Sequence, residues 1–102
     1  MLGCVLLHCS CPVRIVEQVA RRVQTIIIAE PFIDTLTKEP ACWLIPSSQN
    51  QIVEAWWRFS PMFFTNYLEV LGFKKTTVIR HRQFSRTEGK QIEMFTVVGQ
   101  KP

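Results

Sequence analysis

The chain has 102 residues, of which 47% are apolar and 20% are charged, and this composition excludes a disordered or collagen-like chain. The length accommodates one small domain and excludes two. The net charge of +4 permits contact with a polyanion without requiring it. The first apolar stretch is interrupted by His8 and has no basic residue before it, so we expect neither a signal peptide nor a membrane span. We therefore expect a cytoplasmic protein with four reduced cysteines.

The first third of the chain predicts a strand, a helix and a second strand. Residues 3–7 form a short apolar run that is typical of a buried strand. Ser10 is a candidate N-cap and Pro12 suits the first helical turn. Apolar residues then recur at helical spacing at Val13, Val16, Val19, Ala20 and Val23. Residues 25–29 form a run that is β-branched except for Ala29 and has no polar alternation, which predicts a strand covered on both faces and ended by Glu30-Pro31.

The remainder predicts a long loop, a helix and a hairpin. Residues 32–55 show no periodicity and are interpreted as a long loop, which in a compact domain is often functional. The dipeptide Ser60-Pro61 predicts the start of a helix, and Gly72 predicts its end. Residues 73–83 and 91–99 predict two strands joined by a turn.

These elements predict a single α/β domain over residues 1–102 in the order β-α-β-loop-α-β-β. Right-handed crossovers in one direction would place both helices on one face of a mixed sheet. The opposite face and the edge of the first strand would then stay open. We therefore expect a homo-oligomer, or a second polypeptide that supplies a complementing half.

Candidate functional residues lie at two places. His8, Cys9 and Glu30 follow parallel strands, and the carboxyl ends of such strands are where open α/β sheets bind ligands. The second place is the stretch Trp56-Trp57-Arg58, since aromatic rings beside a cation can stack on a planar ligand. The alternative is that the tryptophans hold the long loop against the sheet.

The thiols near the start of the chain suggest two further kinds of chemistry. Cys4, His8, Cys9 and Cys11 are crowded together, but no paired C-x-x-C motif is present and we predict no metal site. A thiol near a helix N-terminus can have a lowered pKa, so Cys9 or Cys11 with His8 as its base stays open as a nucleophile.

Taken in order, several segments resemble the second half of a class I S-adenosylmethionine-dependent methyltransferase, from about its fourth strand onward. The first of these are Gly3-Cys4-Val5-Leu6-Leu7-His8, Cys11-Pro12 and Ile26-Ile27-Ile28-Ala29-Glu30-Pro31. The later ones are Trp56-Trp57-Arg58-Phe59-Ser60-Pro61, Leu71-Gly72-Phe73 and Phe95-Thr96-Val97-Val98-Gly99. The resemblance covers nearly the whole chain and implies a Rossmann-like α/β fold.

The resemblance also implies roles for some residues. His8 and Cys9 correspond to positions that line the adenosyl and methyl-transfer region. Glu30 and the loop after it correspond to a substrate-facing segment, while Trp56, Trp57 and Arg58 match a family-like stretch without a catalytic role. The family binds S-adenosylmethionine mainly through a glycine-rich loop after its first strand, and this chain has no counterpart. The expected function is therefore a methyltransferase-like domain that is incomplete, is not catalytic alone and has an unnamed methyl acceptor.

Two other functions remain open from the sequence. The first is a small-ligand-binding or assembly protein that uses the Trp-rich loop and binds a small molecule. The second is an RNA-binding module, which the positive charge and the aromatic residues favour. Since no RNP-like strand is present, nucleic acid ranks last among the expected partners.

Overall fold

The computed structural model describes residues 1–32, 39–49, 55–86 and 88–102. Its elements are β1 (Leu2–Gly3), a 3-10 turn (Leu6–His8), α1 (Pro12–Ala20), β2 (Thr25–Pro31), β3 (Cys42–Leu44), β4 (Trp57–Phe59), α2 (Pro61–Val70), β5 (Lys75–Ser85) and β6 (Lys90–Gln100). The predicted element order is confirmed, and the short strands β3 and β4 are added to it. Residues 33–38 and 50–54 of the predicted loop lie outside the described residues.

The main sheet has four strands in the order β1-β2-β6-β5. β1 runs parallel to β2, whereas β6 lies between β2 and β5 and is antiparallel to both. A mixed sheet with two helices confirms the predicted α/β class. β3 and β4 pair separately as a two-stranded antiparallel sheet.

The predicted first strand over residues 3–7 is wrong beyond its first residue. β1 ends at Gly3, and Cys4 takes a positive φ of 51°, which interrupts extended backbone. The N–H of Cys4 still donates to the carbonyl oxygen of Ala29 at 2.8 Å, and the chain then turns into the 3-10 segment. Leu6 is fully buried there, so its apolar character serves the core from a turn rather than from a strand.

The first helix confirms the predicted apolar positions Val16, Val19 and Ala20, whereas Val13 is 43% exposed and Val23 lies beyond the helix. Its N-cap is Cys11, which makes no side-chain capping hydrogen bond, so the assignment of Ser10 as N-cap was wrong. Pro12 occupies the first turn as predicted. The helix ends at Ala20, and Val16 and Ala20 face the core.

The second helix is fixed at both ends as the sequence predicts. The Oγ of the fully buried Ser60 accepts a hydrogen bond from the Phe63 N–H at 3.1 Å and a second from the Ala41 N–H at 3.0 Å. Gly72 follows the helix with a φ of +100°, which favours glycine. Ser60 therefore joins the helix start to the segment that leads into β3.

Both helices pack on one face of the sheet, as predicted. A single buried cluster contains residues of α1 and α2 together with alternate residues of β2 and β6. Its members from these elements are Val16, Ala20, Phe64, Leu68, Ile26, Ile28, Phe95 and Val97. This cluster is the hydrophobic core, and it lies between the helices and the helix-facing side of the sheet.

The opposite face of the sheet is apolar but not uniformly open. The pairing of Ile27 with Val98, and of Ala29 with Thr96, places these residues on that face. Ala29 is buried there, whereas Ile79, which also pairs with Thr96, is 51% exposed. The sheet face opposite the helices is therefore exposed at Ile79, as predicted, but is buried at Ala29. β1 forms one edge of the sheet formed by the described residues.

Candidate functional site

Two adjoining cavities lie at the carboxyl end of β2. The first has a volume of about 290 Å³, and its apolar wall is formed by Leu7, Pro31, Ile45, Ala55, Trp57 and Phe59. Its charged lining residues are Glu30, Arg58 and Glu88. The second cavity shares Pro31, Ala55 and Glu88 with the first and also includes His8. The two cavities together occupy the sheet edge at which the sequence predicts a site.

Glu30 is the buried one of the three charged residues that line the first cavity. Alternation along β2 places it on the helix-facing side with Ile26 and Ile28, and its side chain has an exposed fraction of 0%. In the described part of the chain, no donor meets ordinary hydrogen-bond geometry at either carboxylate oxygen, although the backbone N–H groups of Leu6 and Leu7 lie close enough to stabilise its charge. A buried polar group in this state is costly and is rare in folded proteins.

The environment of Glu30 shifts its ionisation. Burial raises the pKa of Glu30 to about 7, while the nearby backbone N–H groups of Leu6 and Leu7 act in the opposite direction. Burial also raises the pKa of the Cys4 thiol, and the negative charge of Glu30 adds to that rise. Glu30 therefore changes its charge near neutral pH, as a group that binds or exchanges a proton would.

The two adjacent tryptophans connect β4 to the 3-10 turn. The backbone N–H of Trp56 donates to the Leu7 carbonyl oxygen at 2.6 Å. The indole Nε1 of Trp57 donates to the Cys9 carbonyl oxygen at 2.8 Å. These bonds agree with the interpretation that the tryptophans hold the loop region against the sheet. Trp57 also forms part of the cavity wall. This residue therefore agrees both with a role in holding the loop and with a role in binding a ligand.

The structure brings some of the predicted site residues together and separates others. Glu30, Trp57 and Arg58 line the first cavity, and His8 lines the second. Cys9 and Trp56 are not among the described residues that line either cavity. The Cys9 Sγ instead donates to the Val5 carbonyl oxygen at 3.3 Å.

Glu88 is a charged lining residue that the sequence did not indicate. It lies in the turn between β5 and β6 and reaches both cavities. The sequence predicts the turn, but no local pattern tells that a hairpin turn returns to the carboxyl end of β2. The register of β6 on β2, with Pro31 opposite Met94, brings the turn there.

Among the described residues, the cysteines and the other potential metal ligands do not form a metal site. All four cysteines are free. Within residues 1–32, 39–49, 55–86 and 88–102, no group of three or more histidine, cysteine, aspartate or glutamate side chains is placed to hold a metal ion. No helix in those ranges is long and apolar enough to cross a membrane.

Comparisons with known proteins identify the fold. Two solved structures of the N-terminal domain of EvdMO1 are similar to this chain, one with S-adenosylhomocysteine (SAH) bound and one in the presence of SAH and D-fucose. Each covers 99% of this chain at 16% sequence identity, with TM-scores of 0.57 and 0.56 respectively. At this level of identity the likeness shows the fold alone, which is the predicted α/β fold and is shared with a domain that was solved with SAH bound.

The same comparisons set the extent of the likeness. The chain spans 44% of the SAH-bound domain and 46% of the domain with SAH and D-fucose. No family model matches the sequence, and no curated protein matches it. The fold is thus similar to less than half of each of these domains.

We expect Glu30→Gln to stabilise the protein at alkaline pH and to have little effect at acidic pH. The raised pKa means that the folded protein keeps the Glu30 proton while the unfolded chain releases it, so stability falls as pH rises from 4.5 to about 7. The cost of the charged form is about 3 kcal/mol above that range. Urea unfolding at about pH 8.5 and about pH 5 should show a gain of about 2 kcal/mol only at the higher pH.

The matched control is Glu69→Gln, because Glu69 is exposed on α2. That variant should change the free energy of unfolding by less than about 0.5 kcal/mol at either pH. A Glu30→Gln variant whose gain is equal at both pH values would contradict the assigned ionisation.

Proposed function

We propose that this chain is a methyltransferase-like domain whose cofactor and substrate meet at the carboxyl end of β2. The observation that supports this most strongly is the similarity of its fold, over nearly its whole length, to an SAH-bound domain. The cavities support it independently, because they lie where open α/β sheets bind their ligands. The cofactor in this proposal is S-adenosylmethionine, and the reaction of the complete enzyme is methyl transfer to an acceptor.

Within this proposal the predicted residues divide into two groups. His8 and Cys9, at the end of the 3-10 turn, lie on the cofactor side. Glu30, Trp57 and Arg58, around the first cavity, contact the substrate. Trp56 belongs to the substrate group through its backbone bond to Leu7, which positions the turn beside the cavity. Methyl transfer depends mainly on bringing donor and acceptor into line, so such positioning contacts are its main requirement.

The proposed domain is incomplete and does not catalyse methyl transfer alone. The chain spans less than half of the similar SAH-bound domain. It also has no glycine-rich counterpart of the loop that holds the cofactor in the family. Residues from a second polypeptide would complete the site beyond β1, the edge strand of the described sheet. The four free cysteines fit a reducing compartment such as the cytoplasm.

A ligand-binding protein without catalysis is the second candidate. It is favoured by the first cavity, where an apolar wall surrounds a few charged groups, as in small-molecule sites. In that case Glu30 and Trp57 keep their role in binding a small molecule, and His8 has none in binding a cofactor. The response of His8 to SAH therefore separates the two functions.

We expect SAH to bind the isolated chain weakly and near the 3-10 turn. In two-dimensional nitrogen–proton NMR, the amide signals of His8 and Cys9 should shift saturably with a dissociation constant of about 1 mM or weaker. We expect a binding free energy of only about 4 kcal/mol, because in this proposal the chain contacts only part of the cofactor. Absence of any shift at about 10 mM SAH would favour the ligand-binding protein.

The two histidines of the chain provide a matched pair of variants for this titration. His8→Ala should weaken the SAH response at least about threefold, since it removes a proposed cofactor contact. His81→Ala should leave the response unchanged, because His81 lies on β5 and contacts the Thr96 Oγ1 at 2.8 Å. Equal responses of the two variants would remove His8 from the cofactor site.

We also propose that the chain associates with a second copy over the sheet face that carries Ile79. Multi-angle light scattering at about 100 µM should then give twice the chain mass of 11.9 kDa. Ile79→Lys should restore the single-chain mass, because a charge at an apolar contact is costly. Val70→Lys is the control, since Val70 is 80% exposed on α2, which covers the opposite face. A wild-type chain that stays monomeric at this concentration would refute the association.

A further inference from the structure

The segment that contains β5 carries a positive charge that the protein does not balance. From residue 74 to residue 86 the sequence has five lysines and arginines and neither aspartate nor glutamate. These basic residues, all of them exposed, are Lys74, Lys75, Arg80, Arg82 and Arg86. With the described residues this segment makes two ion pairs, those of Arg80 and Arg82, and both end at Glu93. One carboxylate therefore offsets only one of five positive charges.

Three exposed side chains of β5 lie on one side of the sheet. Arg80, Arg82 and Phe84 alternate along the strand, and its register on β6 is regular throughout, so they share a side. Arg80 pairs with the core residue Phe95, which makes this the helix-facing side, away from Ile79. The exposed fractions are 57% for the Arg80 side chain, 73% for that of Arg82 and 56% for Phe84. Two guanidinium groups and an aromatic ring are thus aligned and accessible to solvent.

Arg80 is held in place by two neighbours. Its guanidinium carbon lies 3.8 Å from the centroid of the Phe32 ring, and one of its nitrogens lies 3.3 Å from a Glu93 carboxylate oxygen. A side chain that is already positioned loses less conformational freedom when it binds a partner. The exposed part of this guanidinium group is therefore prepared to contact a phosphate group or a planar base.

Protection of the sheet edge would explain the charges but not the aromatic ring. In the described sheet β5 is an edge strand, and basic side chains on an edge discourage pairing with other chains. An exposed phenylalanine works against such protection, because apolar side chains on an edge favour association. A cationic track that includes an exposed aromatic ring is instead typical of surfaces that bind single-stranded nucleic acid.

An acidic peptide fits this surface less well than a nucleic acid does. Carboxylates would meet the arginines, but a segment rich in acidic residues has little to pack on the Phe84 ring. A nucleic acid supplies both kinds of contact, since its phosphates match the planar fork of arginine and its bases stack on aromatic rings.

We propose that β5 binds single-stranded RNA along its helix-facing side, with Arg80 and Arg82 contacting phosphate groups and the Phe84 ring stacking on a base. The two arginines are two residues apart on one strand, which separates their Cα atoms by roughly 7 Å, so each contacts a different phosphate. The other basic residues of the segment extend the positive track toward both ends of β5. RNA is the single-stranded nucleic acid of a reducing cytoplasm, the compartment that the free cysteines fit.

This inference does not rest on the proposed function. Arg80, Arg82 and Phe84 are not among the described residues that line either cavity at the carboxyl end of β2. RNA binding along β5 and cofactor binding near the 3-10 turn can therefore be tested separately.

The test is fluorescence anisotropy of a labelled oligouridine of about ten nucleotides, titrated with the whole chain. We expect a dissociation constant of about 100 µM or tighter at about 50 mM salt. The logarithm of the affinity should fall with the logarithm of the salt concentration with a slope of about −2, as for about three phosphate contacts. An abasic strand of the same length keeps the phosphates and lacks the bases, so it should bind at least about fivefold more weakly.

Variants of Phe84 test the stacking contact. Phe84→Ala should weaken oligouridine binding at least about fivefold and leave binding of the abasic strand unchanged, because it removes the ring and no charge. Phe84→Tyr keeps an aromatic ring and should retain the wild-type affinity. The matched control is Trp43→Ala, which removes a ring that is 49% exposed on β3 of the other sheet and should have no effect.

Variants of two arginines test the phosphate contacts. Arg82→Gln should weaken the binding of both strands and reduce the salt slope by about 0.7, the value for one phosphate contact on a single strand. Arg21→Gln removes an equally accessible charge on α1, 66% exposed, and should leave the slope unchanged.

The outcomes separate this inference from general attraction of anions and from the methyltransferase-like proposal. Oligouridine binding that depends on Phe84 and on the bases supports the inference even if SAH gives no response. Equal affinity for oligouridine, the abasic strand and a glutamate peptide of about ten residues overturns it. Absence of oligouridine binding at about 1 mM protein overturns it as well, and leaves the proposed function standing if SAH still shifts the amides near the 3-10 turn.

Discussion

The pairing of β2 with β6 is the interaction on which the rest of the structure depends. The two strands pair from Thr25 opposite Gln100 to Pro31 opposite Met94, and β1 occupies the other side of β2. With neighbours on both sides, β2 has no freedom of register, and its side chains must alternate between the two faces. The alternation that places Ile26 and Ile28 in the core therefore also directs Glu30 into the helix-covered side.

The buried position of Glu30 has a cost that a purely structural residue would not need to bear. Ionising this buried carboxyl group costs about 3 kcal/mol even with the Leu6 and Leu7 N–H groups beside it, whereas small domains have only about 5–15 kcal/mol of total stability. A leucine or glutamine at this place would avoid that cost. A strained or unsatisfied group that persists beside a cavity is the kind of feature that functional sites retain. We therefore place the candidate site at Glu30 rather than at the cysteines.

Much of the fold could be predicted from the sequence because its signals are local. The Ser60-Pro61 start and the Gly72 end define α2 through capping chemistry, and the β-branched run defines β2. The first strand could not be predicted, since an apolar run of five residues suits a buried turn as well as a strand. Only the positive φ of Cys4 and the burial of Leu6 distinguish the two.

The candidate site was predictable in its place but not in its composition. The ends of β2 and of the 3-10 turn locate Glu30 and His8 by the general geometry of α/β sheets. Glu88 could not be predicted, because the non-local pairing of β6 brings it to the cavity. Ile45 could not be predicted either, because its place depends on a hydrogen bond to Trp56, next to β4. The backbone roles of Cys9 and Trp56 are likewise invisible in the sequence, where only their side chains suggest chemistry.

The most direct measurement is the titration of the Glu30 side-chain carboxyl carbon by carbon-13 NMR on the wild-type chain. We expect a midpoint at about pH 7, because burial of the carboxyl group outweighs the opposing effect of the Leu6 and Leu7 backbone N–H groups. A Glu30 midpoint at or below the ordinary value of 4.5 would mean that the carboxylate is hydrated or paired, and would contradict the account.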